Sequence, residues 1–186
     1  MYDAVMHDAS NDVKPQVDYT RPRRVAVIGR AGAGKTTIAL RLGEELGLPV
    51  VHLDRLAWDP AWRAVAEATF EARQAEAVAG DAWVIDGGYL SSRGWPERMR
   101  RAEVVVLVEA PLLVCLARIL RRAVERGGER RPDLPDGCDE HLSLAFIGWT
   151  LVWNWRTRDA LRALDEAGGR VGRARSTRDL NGSMLA

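Results

Sequence analysis

Lysine is almost missing from this sequence: of its 27 basic residues 25 are arginine, and only Lys14 and Lys35 remain. A strong excess of either charge is missing as well, since those 27 meet 26 acids and leave a formal net charge of +1. No overall field draws the chain to nucleic acid or to an anionic membrane, and neither partner is expected. Two cysteines, Cys115 and Cys138, stand too far apart for a CxxC pair, and three histidines complete no zinc pattern. Two free thiols in a reducing compartment follow from that. No apolar run approaches the ~20 residues of a membrane span. The N-terminal stretch carries Asp3, Asp8 and Asp12 and lacks the apolar core of a signal peptide. The expectation is a cytoplasmic protein.

The 186 residues suit one domain, large enough to bury a core without disulfides or a structural metal. Residues 1–21 are polar, non-periodic and interrupted by proline, and read as a disordered leader. The folded domain spans 22–180, and 181–186 form a tail. Short apolar runs at 24–29, 50–53, 83–86 and 104–108 suit buried strands, with a less apolar fifth at 170–174. Helical spacing covers 35–46, 64–79, 95–101, 111–126 and 140–167, with proline near the first turn at Pro96 and Pro111. Strands alternating with helices predict an α/β fold whose parallel sheet is covered on both faces. The loops after Ile28, Leu53, Ile85 and Val108 should then meet at the carboxyl edge of the sheet, where ligands bind.

The most specific motif lies in the first of those loops. Gly29-Arg30-Ala31-Gly32-Ala33-Gly34-Lys35-Thr36 satisfies GxxxxGK[ST], between a predicted strand and a predicted helix. Its glycines let backbone N–H groups curl around an anion, and the helix adds its partial positive end. Lys35 is expected on the β- and γ-phosphates of a nucleoside triphosphate, most simply ATP, and the Thr36 hydroxyl on Mg²⁺. Thr37 would lie near the α-phosphate.

Two acids follow predicted strands on the same edge, Asp54 and Asp86. Phosphoryl transfer needs a base for the acceptor and a carboxylate for the metal or its waters. Asp54 is assigned as base and Asp86 as metal partner, although either acid could cap the turn after it and the roles could exchange. Arg118, Arg122 and Arg126 recur every fourth residue, and Arg130 and Arg131 follow in a Gly-rich loop. This pattern suits a lid at about 122–140 whose guanidiniums neutralise the transferring phosphoryl group. Arg121 and Glu125 support the plainer alternative of a solvated face. Arg156 and Arg158 could face the same gap.

Seven tryptophans are many for this length. Trp58 and Trp62 flank Pro60 soon after Asp54, and Tyr89 follows Gly87-Gly88, so these rings could wall an acceptor pocket and stack a planar base. Trp149, Trp153 and Trp155 fit core packing of the long helix better.

The ordered series GRAGAGKT, HLDRLAWDPAW, WVIDGGY, VVVLVEAP and RRAVERGGERRPDLPDGC resembles the topology-modulation-protein family, a branch of adenylate-kinase-like P-loop proteins. The resemblance implies a five-stranded parallel sheet in the order 2-3-1-4-5, Mg-ATP as donor and an arginine-bearing lid. It implies that Arg118 and Arg122 open that lid, that Asp86 is the acid of the Asp-Gly turn, and that Asp54 is the strand-two base of related small-molecule kinases. The turn reads Asp-Gly-Phe-Pro-Arg in monophosphate kinases and Asp86-Gly-Gly-Tyr89 here.

The resulting expectation is an ATP-dependent kinase, monomer or homodimer, acting on a small acceptor that is a nucleoside or nucleotide. Lys35, Asp54, Arg118 and Arg122 would serve the chemistry, and Asp54, Trp58, Gly87, Tyr89 and Arg156 the acceptor. A shikimate- or gluconate-type kinase is the alternative within the class. A nucleotide-dependent regulator with little turnover is the alternative outside it.

Overall fold

A computed structural model describes residues 21–125 and 171–176, together with Leu134, Cys138, Gly148, Thr150, Leu151, Trp153, Thr157, Arg162 and Asp179. Residues 1–20 of the leader expected over 1–21, most of the lid segment, Arg126, most of the helix expected over 140–167 with Trp149, Trp155, Arg156 and Arg158, and the tail lie outside the described residues. The elements run β1 (Arg24–Gly29), α1 (Lys35–Leu46), β2 (Val50–His52), α2 (Leu53–Ala57), β3 (Trp58–Asp59), β4 (Arg63–Ala64), α3 (Glu67–Ala79), β5 (Trp83–Asp86), α4 (Trp95–Arg101), β6 (Val104–Val108), α5 (Leu112–Glu125) and β7 (Val171–Ala174). Among the described residues no helix is long and apolar enough to cross a membrane.

Five strands form one parallel sheet in the order β2-β5-β1-β6-β7. Counting only its strands along the chain, that is the expected order 2-3-1-4-5. Three elements, α2 and the paired β3 and β4, were not anticipated. The expected strand over 50–53 stops at His52, and Leu53 begins a short helix, so Asp54 lies in the first turn of α2 and not in a loop. The expected helix over 64–79 begins only at Glu67, because Arg63–Ala64 pairs antiparallel with Trp58–Asp59.

The three central strands β5, β1 and β6 are buried on both faces, and their period of two divides the core into halves. Val25, Val27, Val84, Val104, Val106 and Val108 face one way and pack with Ile38, Ala39 and Leu42 of α1 and Cys115 of α5. Ala26, Ile28, Trp83, Ile85, Val105 and Leu107 face the other, against Leu53 of α2, Val78 of α3 and Met99 of α4. The run of valines in β6 thus supplies both halves, which is why it carries no alternation of polarity. β7 holds the edge despite Gly172 and Arg173. Ala174 is fully buried, and Arg173 turns outward to Glu109 at 2.7 Å, so a charge blunts the open edge.

The face under α3 and α4 encloses a buried cation. Arg98 is wholly inaccessible; its Nη1 donates to Gln74 Oε1 at 2.6 Å and its Nη2 to the Gly88 carbonyl. Its guanidinium also lies over the Trp95 ring, 5.2 Å from the centroid. Burial lowers the pKa to about 10, which leaves the group charged at neutral pH. Arg98 therefore clamps α3 and α4 to the turn after β5. Trp153 closes the same turn, its ring so near Gly88 that no Cβ would fit there.

Two stability predictions follow from this packing. Replacing Arg98 by Met keeps the length but leaves Gln74 Oε1 and Gly88 O without that donor. It should cost on the order of 2–4 kcal/mol in urea unfolding. Gly43 lies inside α1, where alanine ordinarily helps, yet an added Cβ would run into Val50 Cγ2 and approach Leu48 O at 3.0 Å. Gly43→Ala should therefore destabilise by about 1–2 kcal/mol, and Val50→Ala should recover part of that loss in a double-mutant cycle.

Candidate functional site

The loop from Gly29 to Gly34 joins the central strand to α1, and Lys35, Thr36 and Thr37 occupy the first turn of that helix, as expected. Gly29, Gly32 and Gly34 all have positive φ, and a Cβ at Gly29 or Gly32 would meet the carbonyl of Val108 or Cys115 at 2.5 Å. A backbone turn packed this closely needs glycine. Ala33 N–H closes the turn onto Arg30 O at 3.1 Å, and Lys35 Nζ arches back to the same carbonyl at 3.2 Å. Ala31 and Ala33 are buried, as is Arg30, so the loop is seated in the core while its helix end points to the edge. Such an end, with an ammonium and a hydroxyl beside it, is suited to a triphosphate.

Asp86 ends β5 beside that helix. Its Oδ2 accepts the Thr36 hydroxyl at 2.8 Å and lies 3.1 Å from His52 Nδ1. Oδ1 is buried and has no hydrogen-bond partner among the described residues. A buried carboxylate oxygen left in that condition is costly unless something positive approaches it. The set fits Mg²⁺, which keeps much of its water and takes one or two protein oxygens plus the phosphates. The described residues hold no cluster of three or more acidic, histidine or cysteine side chains that could bind a metal, and a site completed by substrate phosphates needs none.

Asp54, in the first turn of α2, is held by a separate group of side chains. Tyr89 Oη donates to Asp54 Oδ1 at 2.7 Å, and Trp58 Nε1 donates to Tyr89 Oη at 3.2 Å. Burial, with the Asp54 charge adding to it, pushes the Tyr89 phenol far above its ordinary pKa, so the hydroxyl remains a donor. The Tyr89 backbone is in the left-handed region at φ 40°, uncommon for a non-glycine residue. It follows directly on the turn whose Gly87 packs against Leu53 and whose Gly88 packs against Trp153. Trp58 and Trp62 meet edge to face at 5.4 Å, and Phe70 meets Tyr89 in the same way at 4.9 Å. Of the rings expected near the acceptor, Trp58 touches both Trp62 and Tyr89, and Trp58 and Tyr89 belong to the hydrogen-bond chain that ends on Asp54.

The arginines of α5 divide. Arg118 Nη1 donates to Ala33 O at 3.1 Å and weakly to Gly32 O at 3.4 Å, which sets its guanidinium against the phosphate loop. Arg122, one turn on, is half-buried. Arg121 pairs with Glu125 at 3.7 Å and belongs to the solvated face. Arg156, expected near the acceptor, lies outside the described residues.

Sequence reasoning missed His52 and Arg98. His52 was visible only as a strand residue; its partner follows from the register, which sets His52 opposite Asp86. Arg98 sits in the cluster Arg98, Arg100, Arg101 of a short helix, where nothing local marks one arginine as buried.

No family model matches the sequence. A shikimate kinase of Symbiobacterium thermophilum is 35% identical over 136 residues, an overlap covering 65% of this chain and 76% of that protein. Among solved structures, a shikimate kinase from Acinetobacter baumannii in complex with shikimate superposes with a TM-score of 0.51 at 18% identity, over 90% of this chain and 93% of that one. The second likeness bears on the fold alone. The first is close and extensive enough to place the chain within the family of shikimate-kinase-like P-loop kinases, and the protein is an ATP-dependent phosphotransferase.

Proposed function

We propose that this phosphotransferase is a small-molecule kinase that passes the γ-phosphate of Mg-ATP to an alcohol hydroxyl, with Asp54 as base. One observation carries the reading: of two carboxylates on one sheet edge, Asp86 is bonded to the phosphate-loop hydroxyl and Asp54 to an aromatic network away from it. Lys35 binds the β- and γ-phosphates. Thr36 and Asp86 would hold Mg²⁺, which when bound neutralises charge spread over those oxygens. Asp54 takes the acceptor's hydroxyl proton as its oxygen bonds to the γ-phosphorus, the bridge to the β-phosphate breaks, and ADP departs. Arg118, already against the loop, and Arg122 add positive charge where the phosphoryl group moves.

For the acceptor, a nucleoside is the leading reading. Trp58, Trp62 and Tyr89 offer flat rings, while carboxylates already answer the guanidiniums nearby. Arg73 has Asp59 at 3.6 Å, and Arg93 has Glu67 and Glu71 at 3.5 and 3.4 Å. That arrangement favours an uncharged acceptor over a nucleotide. Shikimate is the second reading, favoured by the name of the 35% identical relative. The order of motifs supports a place beside the topology-modulation proteins within the same kinase family.

The test is ³¹P detection of product from Mg-ATP with nucleosides, nucleoside monophosphates, shikimate and polyols in separate pools. One pool should yield a phosphate ester. Lys35→Ala should lose ATP affinity and turnover together. Asp54→Asn should lower kcat by about 10²–10⁴ while leaving ATP affinity nearly unchanged. No ester from any pool, in protein that binds ATP, would overturn the reading.

The phenol of Tyr89 gives a pH prediction. Its raised pKa means the folded state holds the proton more tightly than the unfolded one. Stability from that source is complete below about pH 10, the unfolded value, and falls as pH rises toward the folded one. Absorbance at alkaline pH should show a tyrosine that ionises only as the protein unfolds, and Tyr89→Phe should lack that late component.

A further inference from the structure

We infer that His52 is a positioning residue for the metal: it occupies one oxygen of Asp86 so that the other is presented to Mg²⁺ or its water. The inference rests on the reading of Thr36 and Asp86 as the metal-holding pair. Nothing in the sequence motif calls for a histidine here; the way the Asp86 carboxylate is shared does.

The Asp86 side chain is 6% exposed and that of His52 11%, so neither can be satisfied by bulk water. Parallel pairing of β2 and β5 sets His52 opposite Asp86, which puts both side chains on the same face of the sheet. Oδ2 of an ionised carboxylate can only accept, so the Nδ1 facing it at 3.1 Å carries the proton, a tautomer assigned from its partner. The Thr36 hydroxyl donates to the same oxygen at 2.8 Å. Oδ2 is thus claimed by two donors arriving from different elements, and the carboxyl plane is fixed. The buried Oδ1, with no hydrogen-bond partner among the described residues, is left as the oxygen turned to a cation.

Without His52, Thr36 is the one remaining hydrogen-bond partner of the carboxylate among the described residues, and either oxygen can rotate toward that hydroxyl. Some of its orientations then lose the metal-facing oxygen. The expected consequence is a weaker hold on Mg²⁺ with an unchanged hold on the phosphates, since Lys35 and the loop amides are untouched. Groups that orient a metal ligand in this way typically alter metal affinity about 10–100-fold.

The experiment titrates MgCl₂ by calorimetry into protein saturated with a non-hydrolysable ATP analogue, with nucleotide affinity measured separately in EDTA. His52→Leu should raise the Mg²⁺ concentration at half-saturation about 10-fold and leave the EDTA affinity as in the parent protein. His52→Asn, whose side-chain N–H can stand where Nδ1 stands, should restore most of the Mg²⁺ affinity. A leucine variant that titrates Mg²⁺ like the parent would overturn the proposal. So would one that loses nucleotide affinity equally in EDTA, because that marks a purely structural role. Asp86→Asn is run alongside. If it too leaves the Mg²⁺ titration unchanged, the metal-pair reading itself has failed, and that failure is distinguishable from a failure of His52 alone.

Discussion

The ligand edge is referenced to one atom, Oδ2 of Asp86. A hydroxyl from the start of α1 and an imidazole from β2 both converge on it, while the residue itself ends β5. Three chain segments far apart in sequence are thereby tied at the place where the sheet opens. The burial of that carboxylate makes the tie strict. In water, either of the two contacts could be exchanged for solvent at little cost. Inside the protein, an unmet oxygen or donor costs about 1–3 kcal/mol, so the geometry is held by the expense of its alternatives.

A second buried network holds the turn after β5 and Asp54, and it has a different anchor. Arg98 grips the Gly88 carbonyl from beneath and Trp153 covers the same glycine. The turn after β5 is thus packed from below by a charge that never meets solvent. Tyr89 leaves that turn in a left-handed conformation, and its hydroxyl reaches Asp54. The two networks share only the short segment from Asp86 to Tyr89. One end of it faces the phosphate loop and the other faces the aromatic rings.

Much of this was legible in the sequence because it is local. The glycine loop, the bounds of α1 and the valine run of β6 are each signalled within a few residues. Asp86 could be placed on the edge because a strand and a Gly-Gly turn bracket it. The parts that were not legible depend on partners remote in sequence or on backbone without its usual marker. The hairpin of β3 and β4 turns through Ala61 and Trp62 at φ 61° and 56°, with no glycine or asparagine to announce it. The apolar run 50–53 reads as strand throughout, but Leu53 turns into the core as the first residue of α2. Arg98 is one of three arginines in seven residues, and only its contacts with Gln74 and Gly88 single it out. β7, by contrast, was expected although less apolar than the other strands, and its fit comes from pairing with β6 and from one buried alanine.

The unanticipated turn of α2 also bears on why the two acids would not exchange duties under the proposed reading. His52 lies level with Asp86 in the sheet, so Asp54 is two residues beyond that level. Had the strand continued, those two residues would have carried Asp54 roughly 6–7 Å outward. A helix rises only about 1.5 Å per residue, so winding at Leu53 keeps the acid roughly 3 Å beyond the register while rotating it off the strand direction. There it meets Tyr89, and a phenol kept protonated by burial can only donate to it. Asp86 has no such freedom: it is level with the loop, and the first helical hydroxyl takes its oxygen. Under the proposed reading, the carboxylate fixed beside the phosphate loop would serve a cation, and the one wound outward would take a proton. The difference originates in a single change from strand to helix between His52 and Asp54.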